Sequence, residues 1–169
     1  MGAIEGQLAN NTGRLTSLRI QAIAVDCASF YGPDGGTCVS TSSRVVKGTA
    51  VAGWEREDFY PDVNETLLQS WVAHYGPTAV AMSWPEDLKN YGKGPGPAGI
   101  YDNATCADFP RTHAVLVVGY GTNENGTDFW LIKNSHGREW GDNGYGTILR
   151  GKGICNIGGY MAHVTLKKD

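Results

Sequence analysis

The chain has 169 residues, of which 41% are hydrophobic and 18% are charged, and its formal net charge is −3. This length suits one domain with a sizeable core, and the composition excludes an intrinsically disordered chain. The slightly acidic charge excludes the basic surface that nucleic acids and anionic membranes require, and no apolar run approaches the roughly 20 residues that span a bilayer.

Two helices are predicted, the first at the start of the chain. Residues 2–13 have Ile4 and Leu8 one turn apart, and Gly13 suits a C-terminal cap. The helical pattern is clearest over residues 64–75, where a Gly-Pro pair ends the helix. His74 falls on the exposed side of this second helix. The apolar face consists of Leu67, Leu68, Trp71, Val72 and Tyr75.

The rest of the chain is predicted to be strands and loops, which its 24 glycines, roughly twice the usual share, also indicate. Residues 14–43 are predicted to be irregular. Residues 89–103, KNYGKGPGPAGIYDN, are predicted to form a surface loop, with a flexible linker as the alternative. His163, on the last strand, is interpreted as an ordinary surface or edge residue. The predicted strands cover residues 45–52, 79–82, 113–120, 129–135, 145–150 and 160–166.

His113 and Asn134 are candidate site residues because of the hairpin on which they lie. The strands HAVLVVGY and FWLIKNS flank a polar turn, GTNENGTD. If the hairpin is centred on this turn, Gly119 pairs with Asp128 and His113 faces Asn134, with about 4.5–5.5 Å between their Cβ atoms. A slip of one residue or a bulge would break this register.

A histidine held by an asparagine side chain has a known chemical use. The amide oxygen fixes the tautomer and the orientation of the ring, so that the other ring nitrogen can pair with a nucleophile, usually a cysteine. The alternative is a buried histidine whose hydrogen bond to the asparagine is only structural.

The cysteines and the N-glycosylation sequons bear on the compartment. The four cysteines are an even number that two disulfides would use up, whereas four reduced thiols are the alternative in a cytosolic protein. The sequons start at Asn10, Asn64, Asn103 and Asn125, and together they favour an oxidising, secretory compartment. The first residues, MGAIEGQLANN, have neither a basic start nor a long apolar segment, so no signal peptide is predicted in this chain.

Several motifs together resemble the papain-like cysteine proteases, the cathepsin L type in particular. THAVLVVGYG, FWLIKNS, WGDNGYG and RGKGICNI follow the order of that family's motifs around its catalytic histidine and asparagine. GPTAVAM, AGIYDNATC and GAIEGQLANNTGRLTSL extend the likeness over nearly the whole chain. The resemblance implies a papain-like α+β fold, in which an antiparallel β-barrel-like domain is largely complete and the helical domain is much reduced. It implies one domain over residues 1–169, with residues 1–43 as the remnant of the helical subdomain and residues 44–169 as the β-rich subdomain.

The resemblance also assigns roles to the site residues. It makes His113 the general base and Asn134 the residue that orients it, while Trp140 and the neighbouring glycines match the loop that walls the family's cleft. His136 stands where the family has a tryptophan that shields the Asn–His hydrogen bond, so it is expected to be a cleft-wall residue that shields less well. The alternative, that His136 is a new catalytic or metal group, lacks a nucleophile and a third ligand.

The resemblance implies two disulfides. The chain departs from the family pattern at the nucleophilic cysteine, whose motif it lacks. Cys27 is expected to pair with Cys38, and Cys106 with Cys155, which leaves no free thiol. The family's nucleophile lies in C-G-S-C-W, at the N-terminus of the helix that continues here as AIEGQ, and so would sit roughly two helical turns before Met1. A second family segment, G-C-x-G-G, is missing as well. We therefore expect the chain as given to be truncated and to lack the catalytic cysteine.

Two functions follow from the resemblance and its break. The first is a cysteine-type peptidase that hydrolyses peptide bonds through a Cys-His-Asn site and is inactive as given. The alternative is a non-catalytic homologue that binds peptides, inhibitors or a protein partner. The expected partners are peptide or protein substrates and protein inhibitors, with no cofactor, metal, nucleic acid or membrane. The protein is expected to be a monomer in a lysosomal or extracellular compartment.

Overall fold

A computed structural model of the chain describes residues 2–18, 48–94 and 98–167. Within these residues short helices accompany one large sheet. The helices are α1 (Gly2–Thr12), α2 (Glu65–Tyr75) and α3 (Glu86–Lys89), with 3₁₀ helices at Ala104–Asp108 and Ile154–Asn156. The strands are β1 (Val51–Asp58), β2 (Thr78–Ser83), β3 (Arg111–Thr122), β4 (Asp128–Lys133), β5 (Tyr145–Leu149) and β6 (Tyr160–Leu166). No helix of the described residues is long and apolar enough to cross a membrane.

The strands form one sheet in the order β1-β6-β2-β3-β4-β5, and every neighbouring pair is antiparallel. This sheet, with few and short helices among the described residues, confirms the expected α+β fold with its reduced helical part. The sheet brings the end of β2 beside the start of β3, since Met82 pairs with His113. The candidate site therefore lies at the end of the central strands.

Two helices pack against the sheet. The first turn of α2 is capped by Asn64, whose Oδ1 accepts a hydrogen bond from Leu67 N at 2.9 Å. The α2 face predicted to be apolar buries Leu68, Trp71 and Val72 in the core. α1 is tied to the sheet by Gln7, whose Oε1 accepts from Leu166 N at 3.0 Å.

The predicted strand over residues 45–52 is wrong in position. β1 begins only at Val51 and continues to Asp58, while residues 45–47 and residues 19–43 of the segment predicted to be irregular lie outside the described residues. β1 is an edge strand and most of its side chains are exposed. Its sequence therefore lacks the apolar alternation of a half-buried strand, and its pairing with β6 defines it instead.

The interpretation of His163 as a surface or edge residue is also wrong. The side chain is 2% exposed. Its ring stacks on Tyr75 with 3.9 Å between centroids and meets Trp71 edge-on at 4.5 Å. These aromatic residues come from α2, so the burial of His163 results from a contact distant in sequence. His74, by contrast, is exposed on α2 as predicted.

The loop predicted over residues 89–103 is anchored where it is described. The ring of Tyr91 packs against Trp140 with 5.2 Å between centroids, and its hydroxyl donates to Gly99 O at 2.8 Å. These contacts exclude the flexible-linker alternative for the described part of the loop; residues 95–97 lie outside it.

A disulfide joins Cys106 to Cys155 and so connects the two 3₁₀ helices. This is the pairing that the family resemblance implies for these two cysteines. Cys27 and Cys38 lie outside the described residues, so their pairing stays a prediction.

Candidate active site

His113 and Asn134 meet in a direct hydrogen bond. His113 Nε2 lies 2.8 Å from Asn134 Oδ1. The amide oxygen can only accept, so Nε2 carries the proton and Nδ1 of the neutral ring is left with a free lone pair. The same oxygen accepts from Ser135 N at 2.8 Å, which fixes the amide's orientation. The arrangement orients an imidazole so that its Nδ1 can take up a proton.

The predicted register of the hairpin is wrong, although the two residues meet. Gly119 pairs with Leu131 rather than with Asp128, because the strands extend further towards a short turn closed by Asn123. His113 and Asn134 are therefore not the directly opposed pair of a regular hairpin.

A β-bulge puts the two side chains on the same face. The register shifts between Val117 and Gly119, after which Val117 faces Ile132. The inserted residue changes which side chains of β3 point to the core. His113 consequently shares a face with Asn134, and the imidazole spans the remaining diagonal offset, which long side chains can bridge.

The backbone around Asn134 is fixed by the loop that follows. Asn134 N donates to Gly144 O at 2.9 Å, and Gly144 N donates to Trp140 O at 2.8 Å. The buried Trp140 donates its indole N–H to Leu88 O at 3.0 Å. Gly141 adopts φ 59°, and an added Cβ would collide with the carbonyl of Tyr145, so the loop needs glycine there. Trp140 thus supports the site from behind.

Two aromatic rings contact His113. His136 is exposed, and its ring lies beside the His113 ring with 4.8 Å between centroids. Trp84 lies closer, at 4.1 Å from His113, and it also contacts His136 at 5.6 Å and Trp140 at 5.7 Å. Trp84 was not predicted from the sequence as a site residue. Its position directly after the predicted strand over residues 79–82, at the sheet end that holds His113, was the available signal.

The pKa of His113 lies below its ordinary value. Burial of the imidazole lowers this pKa most, the hydrogen bond to Asn134 raises it, and the positive charge that His136 can carry lowers it further. The ring is therefore neutral over a wider pH range than an exposed histidine, as a general base must be.

We expect the His136→Gln substitution to raise the pKa of His113. The variant removes a nearby group that can become positive, so the His113 imidazolium forms more easily. A histidine titration by NMR would measure the change, with His74→Gln as a control on an exposed residue. A pKa of His113 that stays the same or falls in the His136 variant would contradict the assigned repulsion.

The described residues offer no thiol to this imidazole. Their only cysteines, Cys106 and Cys155, are joined in the disulfide. Within the same residues no group of three or more His, Cys, Asp or Glu side chains could hold a metal ion.

The four sequon asparagines lie in different settings. Asn10 is exposed on α1, and Asn64 caps α2 through its side chain. Asn103 donates its amide to Asp87 at 2.8 Å and accepts from Thr105 N at 3.1 Å. Asn125 is exposed at the tip of the β3–β4 hairpin.

Comparisons with known proteins agree on one family. A family model described as papain family cysteine protease matches residues 36–165. The chain is 35% identical to Cathepsin J of Rattus norvegicus, covering 89% of this chain and 52% of that protein, and 32% identical to Cathepsin L of Sarcophaga peregrina, covering 94% and 54%. It resembles the structure of digestive procathepsin L 3 of Tenebrio molitor larval midgut with a TM-score of 0.72 and 32% identity, over 97% of this chain and 60% of that chain. The chain thus spans about half the length of the cathepsins it matches.

Proposed function

This chain belongs to the papain family of cysteine proteases, and from that membership we propose that His113 and Asn134 are the base and the orienting residue of a cysteine-type peptidase site. The observation that carries the proposal is the 2.8 Å hydrogen bond between His113 Nε2 and Asn134 Oδ1. Its substrates are peptides or proteins, and protein inhibitors would bind the same cleft.

The roles follow from the orientation of the imidazole. Nδ1 of His113 removes the proton from a cysteine thiol, and the thiolate attacks the scissile carbonyl carbon. The resulting imidazolium returns this proton to the leaving amine, which gives an acyl-enzyme that water then hydrolyses. Asn134 holds the ring throughout and accepts the hydrogen bond from Nε2–H, while His136 and Trp140 wall the site.

We further propose that the polypeptide of 169 residues does not itself supply the nucleophile. Cys106 and Cys155 are consumed by their disulfide. Cys27 and Cys38 follow α1 in sequence, whereas the family motif places the nucleophile ahead of that helix. Without a thiolate at His113 no acyl-enzyme forms, so this polypeptide alone is proteolytically silent.

The same observation supports a second candidate function. A chain with an ordered His113–Asn134 pair and no thiol beside it among the described residues would suit a non-catalytic homologue that binds peptides or a protein partner. It would fold and bind without cleaving.

Hydrolysis of a fluorogenic peptide separates these functions. The chain as given is compared with an extended chain that carries an upstream segment containing C-G-S-C-W. In this segment the first cysteine is replaced by serine, because its disulfide partner in the family belongs to the missing G-C-x-G-G segment. We expect hydrolysis by the extended chain only, and a serine in place of its second cysteine should abolish it. If both folded chains bind the peptide and neither cleaves it, the binding homologue is correct. Cleavage by the chain as given would refute its proposed silence.

We propose one papain-like domain over residues 1–169, monomeric, in a lysosomal or extracellular compartment. The disulfide between Cys106 and Cys155 supports an oxidising compartment, as do the sequons.

Among the sequons we expect Asn125 to be the most fully glycosylated. Its side chain is exposed at a hairpin tip, whereas Asn10 lies within helix α1, Asn64 is half-buried and Asn103 donates its amide to Asp87. Mass spectrometry of glycopeptides from secreted protein would measure the occupancy of each sequon. Asn125→Gln should remove most of the glycan mass, with Asn64→Gln as the comparison, and higher occupancy at Asn64 would contradict this assignment.

A further inference from the structure

We propose that Trp84 is the positioning residue that covers the His113–Asn134 pair from solvent, a role that the family pattern gives to a tryptophan at position 136. The inference deepens the proposed peptidase site and rests on its assignment of His113 as the base. It assigns a residue that neither the sequence motifs nor the comparisons identify.

The first support is the contact between the two rings. The centroids of Trp84 and His113 are 4.1 Å apart, closer than the 4.8 Å between His113 and His136. Trp84 is 7% exposed, whereas His136 is an exposed side chain. The indole is therefore the larger and better buried of these two neighbours, and it keeps water from one face of the imidazole.

The second support is the closure of the site around this contact. Trp84 Nε1 and Asn134 Nδ2 are both shut off from solvent and have no hydrogen-bond partner among the described residues. A buried N–H without a partner costs stability. No hydrogen bond of the indole N–H therefore accounts for the burial of Trp84. The contact of the indole with His113 does account for it.

The third support is the rigidity of the segment that holds Trp84. The preceding Ser83 donates its hydroxyl to Phe109 O at 2.6 Å and accepts from Asn156 Nδ2 at 2.9 Å. The following Pro85 keeps Trp84 out of the helical region, and α3 begins directly after it. The indole also packs against Trp140, with 5.7 Å between the ring centroids. The backbone on either side of Trp84 and the ring of Trp140 thus hold the indole in place, as a positioning group requires.

The chemical consequence concerns the protonation of His113. Burial is the largest cause that lowers the pKa of this imidazole. If Trp84 provides that burial, removing the indole admits water and makes the imidazolium easier to form. The Nε2 proton should then also exchange faster with solvent.

The test is a histidine titration by NMR on the 169-residue chain, whose four histidines report separately. Trp84→Ala should raise the pKa of His113 towards about 6.5, the value of an exposed histidine. Trp84→Leu, a milder change if the alanine variant does not fold, should give a smaller rise. Trp84→Phe should restore a pKa near that of the unmodified chain, because an apolar ring again covers the imidazole.

The matched control is Trp71→Leu. Trp71 is 6% exposed and Trp84 is 7% exposed, so the two are similarly buried, but the Trp71 ring contacts His163 rather than His113. This variant should lower the melting temperature and move the resonances of His163 while those of His113 titrate unchanged. An unchanged His113 pKa in the folded Trp84→Leu variant, or the same shift in Trp71→Leu, would overturn the proposal. The His113 pKa is measured without turnover of a substrate. An inactive extended chain would therefore contradict the peptidase assignment without deciding the role of Trp84.

Discussion

Replacing His113 by alanine in the extended, cysteine-bearing chain should lower kcat/KM for peptide hydrolysis by roughly 10⁴-fold or more. Among the described residues the imidazole of His113 is the one that Asn134 orients, and in the proposed mechanism it takes the thiol proton and returns it to the leaving amine. Asn134→Ala should cost less, roughly 10²-fold, because the imidazole remains but is no longer held by the 2.8 Å hydrogen bond.

His74→Ala is the control for this prediction, since His74 is exposed on α2 and takes no part in the proposed site. Its kcat/KM should equal that of the parent chain. Circular dichroism and the melting temperature of each variant verify that the fold is intact. A His113→Ala variant that is folded and retains a tenth of the parent activity would exclude His113 as the general base.

Replacing Glu65 by alanine should lower the free energy of unfolding by about 2–3 kcal/mol, since the buried indole N–H of Trp130 and the amides of two loop glycines lose a charged acceptor. Glu65 Oε2 accepts from Trp130 Nε1 at 2.6 Å and from Gly151 N at 2.8 Å, and Oε1 accepts from Gly153 N at 2.6 Å. One carboxylate thus joins the start of α2 to the middle of β4 and to the loop after β5. It also lies at a helix N-terminus, where negative charge is stabilised.

Urea denaturation of the disulfide-intact chain would measure this loss. Glu86→Ala is the comparison, because Glu86 also lies in the first turn of a helix but is exposed and pairs only on the surface with Lys89 and Asn90. Surface pairs of this kind contribute little to stability, so the Glu86 variant should lose much less than the Glu65 variant. Equal losses from the two glutamate substitutions would show that the Glu65 hydrogen bonds do not hold these elements together.

The elements that could be predicted are those whose own sequence carries the pattern. α2 was predicted almost to the residue because its apolar face recurs at helical spacing and a Gly-Pro pair ends it. β1 was misplaced because an exposed edge strand has no apolar alternation, so only its pairing with β6 defines it. The burial of His163 was missed for a related reason, since the rings that cover it lie on another element.

In the candidate site, too, local sequence motifs were predictive, whereas features that depend on contacts distant in sequence were missed. The motifs pointed to His113 and Asn134 as a pair, yet the predicted hairpin register was wrong, because the β3–β4 register shifts between Val117 and Gly119. A glycine inside a strand, such as Gly119, can mark a bulge but does not fix the register that results. Trp84 was missed because its importance depends on the pairing of β2 with β3, which joins residues distant in sequence. Family motifs thus pointed to the His113–Asn134 pair, whereas only tertiary contacts place Trp84 beside it.

We expect this polypeptide to hold the base and the orienting residue without a reactive thiol, as the proposed function requires. Intact-mass measurement of the native 169-residue chain after treatment with iodoacetamide tests it most directly, with peptide hydrolysis followed in parallel. We expect no added mass and no hydrolysis, because the disulfide between Cys106 and Cys155 and the predicted one between Cys27 and Cys38 leave no thiol. A single alkylated cysteine, whose modification abolishes a hydrolysis that also requires His113, would contradict it.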